Sequence, residues 1–109
     1  MNFTEYQEKA KKTALYPREY SVIYPALGLG GEAGEVLEKI KKWIRDEGAG
    51  EMSEDRKELL KKEIGDVLWY VAAISSDLGL DMGEIAEMNI EKLYSRLERD
   101  KINGDGDER

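Results

Sequence analysis

Hydrophobic residues recur along almost the whole chain at the three-and-four spacing of an α-helix, about 100° per residue. The pattern predicts four helices and little strand. The first runs from about Phe3 to Leu15, where Tyr16-Pro17 stops it. The second starts near Pro25, a residue suited to a first helical turn, and continues to about Glu47, ahead of Gly48-Ala49-Gly50. Its apolar stripe is Leu29, Ala33, Val36, Leu37, Ile40, Trp43 and Ile44. Ser53 is the expected N-cap of the third helix, which ends at Gly79. Asp81 with Glu84 opens the fourth in capping-box fashion, and that helix fades near Asp100. Ala86, Ile90, Leu93 and Leu97 form its core stripe. Residues 1–100 therefore read as a single helical domain. Residues 101–109, rich in glycine and charge, read as a polar C-terminal tail that stays mobile unless a partner orders it.

The third helix breaks the amphipathic rule. Val67 to Ile74 is apolar on all sides, as in a buried helix. Asp66 adjoins that run, and Glu63 lies one turn earlier on the face that Asp66 shares with Tyr70. Two carboxylates at the mouth of a core cost several kcal/mol each unless something compensates. The same unit occurs twice, as Glu32-Ala33-Gly34-Glu35 and Glu63-Ile64-Gly65-Asp66. Acids three apart share a helix face, and the glycine between them leaves room for a close approach. Four carboxylates held this way suit a hard divalent cation such as magnesium. Glu32 sits at the edge of the second helix's stripe, with Glu35, Lys39 and Lys42 further round that flank, while Glu38 and Arg45 face away. Asp77 falls on the Glu63–Asp66–Tyr70 face three turns on and is expected at the surface. Acid pairs of this spacing also decorate solvated helices, and buried acids also pair with lysines, here Lys39, Lys42 or Lys92. Two copies with the same inner glycine, one embedded in an apolar helix, favour the metal.

The fourth helix carries a complementary face of Ile85, Asn89, Lys92 and Arg96. One amide and two cations in a row suit a polyphosphate or a carboxylate partner. Standing alone, the same face would serve as a solvated surface.

Composition narrows the chemistry. A chain of 109 residues forms one domain. Its 17 Lys plus Arg against 24 Asp plus Glu, a net charge of −7, argue against a nucleic-acid polymer or an anionic membrane as partner. With no cysteine there is no disulfide, thiol nucleophile or thiolate zinc site. With no histidine there is no Ser-His-Asp or Cys-His machinery and no histidine-ligated zinc or di-iron centre. No signal peptide is visible, and no apolar run approaches the roughly 20 residues of a membrane span. The expectation is a soluble, cytoplasmic chain whose chemistry uses carboxylates, amines, hydroxyls and metals.

Glu-x-x-Glu, a 27-residue gap, Glu-x-x-Asp, then Asn-x-x-Lys-Leu-x-x-Arg resembles the MazG-like nucleotide pyrophosphohydrolases of the all-α NTP pyrophosphatase superfamily. The likeness covers nearly the whole chain. It takes in Glu5-Tyr6-Gln7 with Thr13, Leu27 to Val36, Lys41-Lys42, Glu63 to Tyr70, and the closing Gly104-x-Gly106-Asp107-x-Arg109. It implies an all-α, four-helix-bundle protomer that forms homodimers or homotetramers. It also implies magnesium-dependent cleavage of a nucleoside triphosphate between its α and β phosphates. By the match, Glu32, Glu35, Glu63 and Asp66 would ligate Mg²⁺ (or Mn²⁺ in its place), and Tyr70 would line the nucleotide pocket. Asn89, Lys92 and Arg96 would match the phosphate-contacting helix. Many relatives, the dimeric dUTPases among them, carry a further Glu directly before the first motif acid, often credited with activating water. That position is Gly31 here.

The chemistry stands beside the resemblance. A triphosphate carries about four negative charges and would be repelled by four carboxylates unless cations lay between them. Lys92, Arg96 and Lys42 would balance charge on the departing pyrophosphate. Glu32, nearest the core edge, is the acid favoured as base. Trp43, Trp69 and Tyr70 are stacking candidates, although tryptophan at helical spacing also builds cores. The competing reading is a bundle that binds nucleotide or metal without turnover, or an oligomeric interaction module. All four acids are present, where a binding-only descendant would tend to have lost one.

Overall fold

The computed structural model describes residues 1–109. It contains four α-helices, one 3-10 turn (Arg18–Tyr20) and no strand. α1 (Phe3–Lys11) opens where the Asn2 side chain accepts the Glu5 N–H at 2.8 Å. It ends earlier than its hydrophobic pattern predicts. The Thr13 hydroxyl donates to the Ala10 carbonyl at 2.7 Å and accepts from the Trp69 indole N–H, also at 2.7 Å, so the chain leaves the helical path there.

α2 (Ile23–Glu47) starts two residues before Pro25. Its launch is a γ-turn centred on Val22 (φ +70°, ψ −50°), with the Ile23 N–H on the Ser21 carbonyl at 2.8 Å. A β-branched residue is strained at positive φ. α2 closes at Gly48, whose φ of +68° is the left-handed cap conformation. α3 (Glu54–Asp77) begins at Ser53, whose hydroxyl accepts the Arg56 N–H at 3.2 Å. α4 (Met82–Glu98) begins at Asp81, which accepts the Gly83 N–H at 2.9 Å and the Thr4 hydroxyl at 2.8 Å.

α2 and α3 run antiparallel, tied near one end by Arg56 to Glu47 (2.7 Å) and further along by Lys39 to Glu63 (3.8 Å). α1 lies antiparallel on α3, with Ala10 against Ala72 and Gln7 bridging to the α3–α4 corner. The Gln7 amide donates to Ser76 and the Leu80 carbonyl (3.0 and 2.8 Å), and its oxygen accepts the Met82 N–H at 2.7 Å. Every polar atom of that side chain is used to hold the start of α4.

The core inside one chain is small. Only eight of 109 residues are buried, and the apolar centre is Ala10, Ala72 and Met82 with Tyr6, Leu68, Trp69 and Val71 around it. The radius of gyration is 16.8 Å, against about 13 Å for a compact domain of this length. The accessible surface is 7976 Å², against about 6,100 Å² for a folded monomer of 12.4 kDa. The excess lies where the sequence places core stripes. Leu37 and Ile44 on α2, and Ile90, Leu93 and Leu97 on α4, remain exposed. The four helices form, but one chain alone does not cover them.

Candidate functional site

Three carboxylates meet between α2 and α3. Oxygens of Glu32, Glu63 and Asp66 all lie within 4.8 Å of one another. Antiparallel packing sets the first acid tetrapeptide against the second, and the three-residue spacing turns Glu63 and Asp66 to the same side. Glu32 and Glu63 are partly buried, and Asp66 is exposed. Glu35 is exposed and stays outside this group, though its charge reaches Glu32. The mutual crowding appears in the Glu32 carboxyl, which is pushed above its usual range. Burial is the largest cause, followed by a hydrogen bond with Glu63 and the charges of Asp66, Glu63 and Glu35.

Aromatic residues frame the acids. The Tyr70 hydroxyl is pushed up by burial, then by the charges of Tyr24, Glu32 and Asp66. Its ring packs against α2 at Gly28, where a Cβ would come within 2.1 Å of Tyr70 Cε1. Glycine is what admits that ring. Trp69 meets Tyr70 edge-on at 5.0 Å and Tyr16 at 6.4 Å, and Tyr16 stacks on Tyr24 at 4.7 Å. Tyr6 approaches from α1, its hydroxyl pushed up by burial and then by the Asp66 charge.

The expected cations are distributed differently. Lys39, weighed in the sequence only as an ion-pair partner, is the lysine that reaches the acids, 3.8 Å from Glu63. Lys42 instead adds its charge to the surroundings of Glu38 and Asp46. Lys92 and Arg96 pair with Asp107 of the tail at 2.6 and 3.2 Å. Asn89 and Lys92 line an open groove of about 520 Å³ with Ile85, Met88 and Asp107, and none of the three clustered acids borders it. Within one chain, then, the acid face and the cationic face are separate.

Asp77 corrects a sequence expectation. Its side chain is only 5% exposed, not a surface group. It accepts the Tyr16 hydroxyl at 2.6 Å, the Val22 N–H at 3.0 Å and an Arg18 N–H at 3.1 Å. Helical spacing showed which face it shared, but not that the α1–α2 connection folds over it. Tyr6, beside Asp66, and Gly28, beneath the Tyr70 ring, are not legible in the sequence, because both depend on how helices pack. The local signal for Gly28 was its position one helical turn before Glu32.

The fold and this carboxylate group define an all-α protein with an acidic centre inside a helical hairpin. The family model of the MazG nucleotide pyrophosphohydrolase domain matches residues 25–99, from the first turn of α2 to the end of α4, and the chain belongs to that family. It is similar to the Gene 37 protein of Mycobacterium phage L5, with 37% identity over 115 residues covering 100% of both chains. No solved structure matches the chain. No helix is long and apolar enough to cross a membrane.

Proposed function

We propose that the protein is a magnesium-dependent nucleoside triphosphate pyrophosphohydrolase that converts (d)NTP to (d)NMP and pyrophosphate. The convergence of Glu32, Glu63 and Asp66, in a chain of this family, carries the reading. The donor set fits a hard cation. It offers carboxylate oxygens only, held within 4.8 Å of one another, so that positive charge between them relieves their repulsion. Glu35, one turn along α2, is the proposed fourth ligand. The chemistry that a bound Mg²⁺, or Mn²⁺ in its place, supplies is charge neutralisation, polarisation of the α-phosphate and acidification of water.

The chain's own residues do the rest. Water attacks the α-phosphorus and its proton passes to Glu32, the partly buried acid that α2 contributes to the group. The bond from the α-phosphorus to the bridging oxygen breaks, and pyrophosphate leaves with the electron pair. Lys92 and Arg96, with Lys42, balance its charge, and the Asn89 amide donates a hydrogen bond to it. Tyr70, held on Gly28, packs against the nucleoside. The reaction belongs in the cytoplasm, where nucleoside triphosphates and magnesium are found. Steady-state pyrophosphate release with Mg²⁺ across a panel of nucleotides tests it. Saturating Mg²⁺ with no turnover of any nucleotide would leave a binding or interaction role in its place.

The acid and cationic faces are expected to meet between copies of the chain. The uncovered stripes of α2 and α4 and the surface excess support a homodimer or homotetramer. Sedimentation at micromolar concentration should give such a species, and a 12.4 kDa monomer that still turns over nucleotide would refute it.

Lys92→Ala should lower kcat/KM by about 10²-fold, the loss typical of a preorganised charge-stabilising donor. Lys92→Arg should rescue in part, since a planar fork does not replace a compact ammonium. Lys9→Ala, on the exposed side of α1, is the control and should be silent. Equal small effects at both lysines would remove the phosphate role.

A further inference from the structure

The sequence predicts a mobile tail, yet residues 101–109 fold back on α4. The Lys101 N–H donates to the Arg96 carbonyl at 2.7 Å. The Arg109 guanidinium then gathers the carbonyls of Lys101, Ile102 and Gly106 at 3.0, 2.8 and 2.5 Å, while Arg99 holds the Arg109 carbonyl at 2.7 Å. The loop so cinched has no room for a side chain at position 104, where a Cβ would come within 2.6 Å of Arg109 Cδ. Gly106 turns at a φ of +84°, open to glycine at little cost. What this closed loop presents is Asp107.

Asp107 lies on the two α4 cations. Its carboxylate takes Lys92 Nζ at 2.6 Å and Arg96 at 3.2 Å, and its carbonyl accepts a further short hydrogen bond from Arg96. The two cations are held differently. Arg96 is buried and bound to the backbone of the strap, so it is fixed in place. Lys92 is partly exposed and meets a carboxylate that is 78% exposed. An exposed pair of this kind is worth only about 0.2–1 kcal/mol, and a phosphate group bearing more than one negative charge competes with it readily.

We propose that the C-terminal segment is an exchangeable strap, in which the Asp107 carboxylate holds the position on Lys92 and Arg96 that a phosphate group of substrate or product takes, and anion binding releases it. This rests on the proposed phosphate role of Lys92 and Arg96, but not on turnover. The strap keeps the cations paired when no nucleotide is present and sets a threshold that a polyphosphate must exceed.

Inorganic pyrophosphate is the probe, titrated calorimetrically into the full-length protein and followed by amide hydrogen exchange. Asp107→Asn should bind it about two- to fivefold tighter than the parent, the gain expected from removing a competing exposed ion pair. Arg109→Ala, which opens the loop but keeps the Asp107 carboxylate, should shift affinity in the same direction. Asp105→Asn makes the same change in net charge two residues away and should bind as the parent does. In the parent, pyrophosphate should speed exchange at the amides of residues 101–109. Weaker or unchanged binding by Asp107→Asn, or tail amides protected further by pyrophosphate, would overturn the proposal. A protein that releases its strap to pyrophosphate but hydrolyses no nucleotide would sink the pyrophosphohydrolase reading alone. Normal turnover with Asp107→Asn indistinguishable from the parent would sink the strap alone.

Discussion

Glu63→Gln and Asp66→Asn are each expected to lower turnover by about 10³-fold or more while leaving the helical circular-dichroism signal intact. A divalent ion contributes several kcal/mol of transition-state stabilisation, and removing one carboxylate from a three-acid group forfeits most of it. The same variants should be more heat-stable than the parent in EDTA. Carboxylates a few ångströms apart repel by about 1 kcal/mol per pair even at the dielectric of water, so neutralising one relieves two such repulsions. The gain should be larger for Asp66→Asn, because Glu63→Gln also gives up the Lys39 ion pair. A rise of a few degrees corresponds to about 1 kcal/mol in a domain of this size. Near-parental activity in both variants would remove the metal-ligand assignment. An unchanged midpoint in EDTA would show that the three acids exert no net strain on the fold.

The elements were legible because their signals are local. Ser53, Asp81 and Gly48 cap helices where their chemistry predicts, and the spacing within each acid tetrapeptide turned Glu63 and Asp66 to one side. The repeat marked the acids that meet, although Glu35 of the first copy stays outside the group. What escaped depends on geometry that helical periodicity does not carry. The end of α1 is set by a single hydroxyl, Thr13, shared between its own helix and Trp69. The start of α2 is set by a strained γ-turn that no propensity favours. The apolar stripes of α2 and α4 recur at helical spacing, but Leu37, Ile44, Ile90, Leu93 and Leu97 are exposed, and a pattern does not say whether its cover comes from the same chain. The tail read as mobile from its glycines and charges, while those same residues supply the tight turn and the guanidinium that close it.

Asp77→Ala is expected to be the most destabilising single change outside the core, by about 3 kcal/mol and on the order of 10 °C. The carboxylate is nearly inaccessible and accepts from three donors: the Tyr16 hydroxyl, the Val22 N–H and Arg18. Alanine leaves the first two without an acceptor in a partly buried setting. It also frees Val22 from the bond that holds its positive φ, a conformation that costs of order 1–3 kcal/mol and persists only when neighbours impose it. Relaxation of that turn would shift the start of α2, the helix that carries Gly28 and Glu32, so activity should fall with stability. The pH dependence separates charge from shape. Burial works against the Asp77 charge, but hydrogen bonds from Tyr16, Val22 and Arg18, together with the Arg18 charge, outweigh it and hold the carboxyl below the ordinary aspartate range. A depressed carboxyl binds fewer protons folded than unfolded, so its stabilisation is complete above the ordinary value of about 3.8 and is lost as pH falls through the folded one. Asp77→Asn keeps the shape and an acceptor but has no charge to titrate. Its stability deficit against the parent should therefore be constant above about pH 5 and shrink in more acidic solution. A deficit that stayed constant down to pH values of about 2 would mean that Asp77 acts through its hydrogen-bond geometry alone.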